Sequence, residues 1–503
     1  MLAHPLLPLS ILGFLAAGLT LPLLAGPPRL DDSHWINLVW SDQFTALLKQ
    51  GELWPRWLPW SHDGLGAPVF YFYGPVAFWL AGLFGLAGSG LWPSLVLAAF
   101  VALLASGIGT YIWLRGRAPH PLAGAAFYMI APYHLLDFLR RGALAEFTAA
   151  ALLPFVALGI ARAIEGKPAV LPLAFAGLIM SHLPLAVLAA AFLVPMLIAM
   201  ERGIDRRGVA RVAAGLGIGA ALACAYWLPA LWLQRFTAME TMRGAPLLQP
   251  ANWSPATYAG APGLVLLGVA GLSLLPLAAS MRRDRWAWFV LGTLCLAFGL
   301  ARPLWLLPPL DRVQFPWRIL TLAEFGAAML IARSRLPGPA ILAAAAPPLL
   351  CSILIAMSSF AAGPESARSR LAALQRDHPD VIEYLPHGLG ERAGSHSDWA
   401  LDLARRTPAI TQAGGVTTLR RFAFPIWQVR CGDRLAQTSR SPEGLLQYRG
   451  SLCTIERTKP LAERLGLAVS AAALLGLIAL SRTRRPQPRN DPLPTPQFAS
   501  RGI

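Results

Sequence analysis

Apolar runs about as long as a bilayer is thick recur along the chain, separated by short segments rich in arginine, proline and glycine. A helix needs about 20 mainly apolar residues to cross the hydrocarbon core. Such runs lie near 6–26, 91–114, 120–136, 146–164, 212–233, 262–281, 286–301, 318–333, 339–360 and 461–481. The run 168–200 is too long for one span. Ser181, His182 and Pro184 interrupt it, so it reads as two short spans. The first run reads as a span and not as a cleaved signal peptide, because it lacks a basic leader and further spans follow.

The run 69–88 is ambiguous, and charge parity decides it. If it dips into the membrane or lies on its surface, then Arg115/Arg117, Arg162/Lys167, Arg202/Arg206/Arg207/Arg211, Arg282/Arg283/Arg285, Arg333/Arg335 and Arg482/Arg484/Arg485 share the cytoplasmic side. If it spans, all the later basic loops face outward, against the positive-inside bias. The expectation is therefore about twelve spans, with both termini cytoplasmic and 69–88 re-entrant or interfacial. Five segments then face outward: 27–68, 137–145, 234–260, 302–317 and 361–460. In the last, 364–378 is helix-like, while 417–422, 426–431 and 445–457 read as short strands between turn residues. The tail 482–503 is polar and proline-rich, the composition of a disordered segment.

Composition agrees with a membrane protein. Of 503 residues, 55% are hydrophobic and 14% charged. That excludes an ordinary soluble enzyme, a coiled coil and a disordered chain. The net charge of +17 would point to nucleic acid in a soluble protein, but here it resides largely in the basic loops that set topology, so no nucleic-acid partner is expected. Cys224, Cys295 and Cys351 lie in spans. Cys431 and Cys453 share the outward segment and are the candidates for a disulfide. There is no internal repeat, P-loop, HExxH or paired CxxC motif.

Chemistry-bearing residues collect at the outward loops. Asp31 and Asp32 follow the first span, with His34 beside them. One acid suffices to cap the helix that starts near Ser33. The other is then available for acid–base or metal chemistry. The same loop carries Arg56, a candidate phosphate ligand, and leads to Tyr71 and Tyr73. Those aromatics either anchor the segment at the headgroups or line a substrate groove. The second loop reads Asp137-Phe-Leu-Arg140-Arg141-Gly-Ala-Leu-Ala-Glu146. It is either an internal salt-bridge set or a phosphate site, with Asp137 and Glu146 as cation ligands. A third element, Gln314-Phe-Pro-Trp317-Arg318, sets an arginine at the mouth of a span, where it must snorkel or meet an anion. His182 marks the break in 168–200 and reads as a packed polar residue or a ligand.

This arrangement resembles the GT-C superfamily of membrane glycosyltransferases, with acids after the first span and a second acidic cluster in the next outward loop. It is closer still to bacterial polytopic proteins of the YfhO-like and "6-pyruvoyl-tetrahydropterin synthase-related" type, through GELWPRW (51–57), GLGAPVFYFYGP (64–75), RRGALAE (140–146), QFPWR (314–318), EYLP (383–386) and FPIW (424–427).

The resemblance implies an all-α polytopic membrane fold with a small C-terminal β-rich extracytoplasmic domain at 361–460. It also implies a bacterial inner-membrane enzyme whose site faces the periplasm. The expected reaction is sugar transfer from a polyprenyl-phosphate-linked donor to an envelope acceptor, by inverting displacement. Asp31 or Asp32 would be the base, and Arg140, Arg141, Arg318 and Arg56 would hold the donor phosphate. His34, Tyr71, Tyr73 and Trp317 would line the substrate site. A divalent metal, Mg or Mn, stays open, with Asp137 and Glu146 as its ligands. The rival readings are a transporter of lipid-linked precursors and a non-catalytic assembly factor.

Overall fold

The structure is a computed structural model. It describes residues 6–26, 33–167, 169–201, 204–244, 249, 252–260, 262–360, 365–393 and 398–483. Among these, seven helices are long and apolar enough to cross a membrane: Leu7–Ala25, Leu91–Leu114, Pro121–Leu139, Leu144–Ile164, Leu183–Met200, Gly338–Ser359 and Leu461–Leu480. Arg206–Leu222 and Cys224–Phe236 meet at 64° and form an eighth span if taken together. Val76–Leu86, Val170–Ser181, Leu264–Ser280 and Arg285–Ala297 are apolar but shorter. The chain is a multi-pass, mainly helical membrane protein.

The difference from about twelve full-length spans has a local cause, since breaks shorten the helices. Val170–Ser181 ends where His182 turns extended, at φ −158° and ψ 98°. Ala131 is extended too, because Pro132 disfavours the α conformation in the residue before it. The run 69–88 becomes two helices, Val69–Phe72 and Val76–Leu86. Eleven residues reach only about 16 Å, roughly half the hydrocarbon core. Gly74 lies between the two helices. A Cβ there would fall 2.0 Å from the Ser181 carbonyl oxygen, so glycine lets this turn seat on the break at His182.

The C-terminal segment holds the helices Glu365–Asp377 and Asp398–Arg406, followed by seven strands. These are β1 (Ile410–Ala413), β2 (Val416–Phe422), β3 (Trp427–Cys431), β4 (Arg434–Ala436), β5 (Thr438–Arg440), β6 (Leu445–Arg449) and β7 (Cys453–Arg457). They form two antiparallel sheets, ordered β1-β2-β6-β5 and β4-β3-β7. The run 445–457 is thus a pair of strands and not one, with Leu452 at positive φ in the turn between them. Leu419, Val429, Leu446 and Tyr448 pack between the sheets. Cys431 and Cys453 stand opposite each other in β3 and β7 and form a disulfide.

A second apolar cluster joins this module to the first loop: Trp57, Leu65 and Tyr71 pack with Leu385, Phe422, Phe424 and Ile426. The Phe422 amide donates to the Leu65 carbonyl at 2.8 Å, which fixes the module on that loop.

Candidate active site

The short helix Pro132–Leu139 begins at the break before Pro132. Its freed amides at Tyr133 and His134 both donate to Glu324, the latter at 2.9 Å. Glu324 is buried in the helix Leu320–Arg333. A carboxylate here satisfies two orphan donors and sits at the positive end of the helix dipole. This fixes the axis along which Tyr133 and Asp137 are displayed.

The far end of that helix carries the charges. Arg141 Nη1 lies 2.5 Å from Asp137 Oδ1, 3.0 Å from the Tyr133 hydroxyl oxygen and 3.4 Å from Glu146 Oε2. The Tyr133 hydroxyl donates to Glu146 Oε1 at 2.7 Å. Arg318 enters from another loop, its Nε 3.2 Å from Glu146 Oε2. Its Nη1 donates to the Gln314 carbonyl at 3.2 Å. Two arginines thus meet two carboxylates that are each only 2% exposed. Buried charges persist only when paired and hydrogen-bonded, and these are. Aromatic faces cover the cations: Arg141 lies 5.8 Å from the Trp317 ring and Arg318 4.8 Å from Phe315.

Two further residues border the cluster. Tyr73 interacts electrostatically with Arg318, Asp137, Glu146 and Arg141, and its ring packs edge-on against Trp40. His182 interacts with Arg318, Glu146 and Arg141, and its Nδ1 accepts the Leu185 amide at 3.2 Å.

The first loop docks onto the second. The Ser33 amide donates to the Arg141 carbonyl at 2.9 Å, and Asn37 Nδ2 donates to the Gly142 carbonyl. His34 Nε2 lies 3.1 Å from the Phe138 carbonyl oxygen. Gly142 has φ +63°, and a Cβ there would come within 2.7 Å of His34. Asp31 and Asp32 lie outside the described residues. Of the other expected site residues, Asp137, Arg141, Glu146, Trp317, Arg318, Tyr73 and His34 come together here. Arg140 is half-buried, and its guanidinium makes no ion pair among the described residues.

Arg56 and Tyr71 are brought elsewhere. Arg56 is buried, with Nη2 donating to the Ala225 carbonyl at 2.7 Å and Nε 3.4 Å from Glu463. Its guanidinium lies 3.7 Å from the Trp54 ring, and burial lowers its pKa while Glu463 opposes that. The Tyr71 hydroxyl donates to Glu463 at 2.8 Å. Both residues therefore bind the first loop to the final helix. The structure thus places Arg56 against Ala225 and Glu463, apart from the Arg141–Arg318–Glu146 cluster.

Arg141 stands between Asp137 and Glu146, where a cation would have to bind. Among the described residues no group of three His, Cys, Asp or Glu side chains could hold an ion. The described donor set does not fit a divalent metal.

Sequence reasoning missed Tyr133, Glu324 and Gly142. Glu324 had a signal: an ionisable residue within an apolar run is a functional suspect on cost alone.

Fold and site together define a polytopic helical membrane protein in which separate loops converge on a buried Arg–carboxylate cluster. No family model and no curated protein matches the chain. Among solved structures it is similar to the arabinofuranosyltransferase AftD from Mycobacteria, with a TM-score of 0.43 and 19% identity over 75% of this chain. That match spans 27% of the mycobacterial chain, so the present chain covers about a quarter of it. It is also similar to ArnT from Cupriavidus metallidurans bound to undecaprenyl phosphate, with a TM-score of 0.39 and 14% identity over 80% of this chain and 81% of that one.

Proposed function

We propose that the chain is a GT-C-type membrane glycosyltransferase. It moves a sugar from a polyprenyl-phosphate-linked donor to an envelope acceptor on the external face of the bacterial inner membrane. The observation that carries this reading is the convergence of Arg141 and Arg318, from two separate loops, on Glu146. It is joined by the docking of Ser33 onto Arg141, one residue after the acid pair.

In this reading Asp31 or Asp32 takes the proton of the acceptor hydroxyl. The hydroxyl oxygen attacks the anomeric carbon, the bond from that carbon to the phosphate oxygen breaks, and the polyprenyl phosphate leaves with the electron pair. A single displacement inverts the centre. Arg141, Arg318 and Arg140 stabilise the charge on the departing phosphate. His34, Tyr73 and Trp317 border the sugar.

The transporter reading draws on the broken helix at His182 and the buried Glu324, features that transporters use to bind substrate. One experiment separates the two. Envelope glycans and glycolipids are compared by mass spectrometry in a deletion strain, a wild-type complement and an Asp31→Asn/Asp32→Asn complement at equal protein level. Loss of a sugar-sized mass on deletion that the double variant fails to restore supports the transferase. Full restoration by the double variant removes the catalytic acid and leaves the transporter or assembly factor.

A further inference from the structure

His182 sits where two helices meet, and its ring has two different faces. Nδ1 accepts the Leu185 amide at 3.2 Å and so caps the helix Leu183–Leu188. An imidazole nitrogen that accepts a hydrogen bond carries no proton, so the proton of a neutral ring must sit on Nε2. The tautomer follows from the hydrogen-bond network. Nε2 makes no hydrogen bond among the described residues. The helix His182 caps packs against Pro316–Ile319, which carries Arg318, and against Leu144–Ala150, which carries Glu146. The ring is almost fully buried and interacts with Arg318, Glu146 and Arg141. The turn at Gly74 holds the break in place by its close approach to Ser181.

We propose that His182 is an N–H donor to the phosphate of the lipid-linked donor, acting from Nε2. The proposal rests on the donor reading above. The cap excludes a role as base or acid through Nδ1, because protonating Nδ1 would break the hydrogen bond to Leu185. A neutral donor also suits the site. The two arginines are already matched by Asp137 and Glu146, and an N–H adds a phosphate contact without adding a charge to be buried.

The test uses the purified full chain in detergent with farnesyl phosphate as probe, and farnesol and inorganic phosphate as controls. His182→Ala removes cap and donor. His182→Ser keeps a good helix cap but cannot reach the site. Wild type should bind farnesyl phosphate better than either control, and both variants should bind it roughly tenfold more weakly, a typical effect of losing one hydrogen bond to a charged group. If His182→Ser binds like wild type, the residue is a cap only and the proposal falls. If folded wild type does not prefer farnesyl phosphate, the donor reading itself fails, and this proposal with it. Nitrogen-15 spectra of histidine-labelled wild type supply a readout that needs no variant. They should show the Nε2–H tautomer, with that proton shifting on addition of farnesyl phosphate. A proton on Nδ1, or no shift, overturns the assignment.

Discussion

The amide of Ser33 donates to the carbonyl oxygen of Arg141 at 2.9 Å. This bond ties the first loop to the backbone of the second, across more than a hundred residues of sequence. It spends the backbone of Arg141 on positioning and leaves the side chain for charge. Asn37 and His34 likewise meet the second loop at backbone carbonyls, those of Gly142 and Phe138. The two loops therefore behave as one unit.

Gly142 is the tightest point of that unit. Its positive φ disfavours any side chain by about 1–2 kcal/mol. A Cβ would also meet His34 at 2.7 Å, against both ring and backbone. Gly142→Ala should lower the unfolding temperature in detergent and abolish restoration of the envelope glycan. A Gly142→Ala protein of wild-type stability and activity would mean the docking seen here is dispensable.

Glu146 is the hub of the charge cluster. Removing one member of a buried pair strands the other and typically costs about 3–5 kcal/mol. Glu146→Ala should therefore destabilise strongly, since it leaves Arg318 without its carboxylate and the Tyr133 hydroxyl without an acceptor. Arg318→Ala alone should cost less, because Glu146 keeps Arg141 and Tyr133. A double-mutant cycle should return a coupling energy of about 0.5–3 kcal/mol between the two. Strict additivity in chemical denaturation would show that the 3.2 Å contact carries no energy.

The apolar runs made the membrane class readable, because hydrocarbon leaves a helix as the simplest solution for the backbone. The β module was readable at β2 and β3, where alternation and turn residues agree. It was missed at β1, β4 and β5, whose exposed side chains leave no period to detect. Asp137, Arg141 and Glu146 could be found because charge between spans is costly. Glu324 could not be placed, since its role depends on a break at Pro132 that faces it from 190 residues away. Arg56 could not be placed either, since only the fold brings it to Glu463 of the last helix.

That pair gives a third prediction. Arg56 and Glu463 are 5% and 6% exposed, and Arg56 also stacks on Trp54. Glu463→Leu leaves a buried guanidinium with one carbonyl partner, and should cost about 3–5 kcal/mol. The double variant Arg56→Met/Glu463→Leu removes both charges and should recover most of the loss. Thermal unfolding of the single and double variants checks this. A double variant no more stable than Glu463→Leu would mean the pair is needed for packing geometry and not for charge balance.

The junction of the first loop with the C-terminal module should respond to pH through two buried groups of opposite sign. His62 is fully buried, its ring 5.8 Å from Phe422, and burial draws its pKa down from 6.5 to about 3. Asp380 is 1% exposed and accepts Trp40 Nε1 at 3.0 Å and the Val381 amide at 2.8 Å. Burial nevertheless pushes its pKa up from 3.8 to about 6. For His62 the folded value is the lower one, so its contribution is present above pH 6.5 and is lost as pH falls toward 3. For Asp380 the folded value is the higher one, so its contribution is present below pH 3.8 and is lost as pH rises through 6. His62→Met removes the first titration. Its stability relative to wild type should grow as pH falls below 6.5 and level off near 3. Asp380→Asn keeps an acceptor for Trp40 and removes the second. Its stability relative to wild type should grow as pH rises from about 4 to 6 and stay constant above that. Unfolding temperatures of the three proteins over this pH range give the two difference curves. Slopes of the same sign, or flat curves, would show that these burials do not set the pH response of the junction.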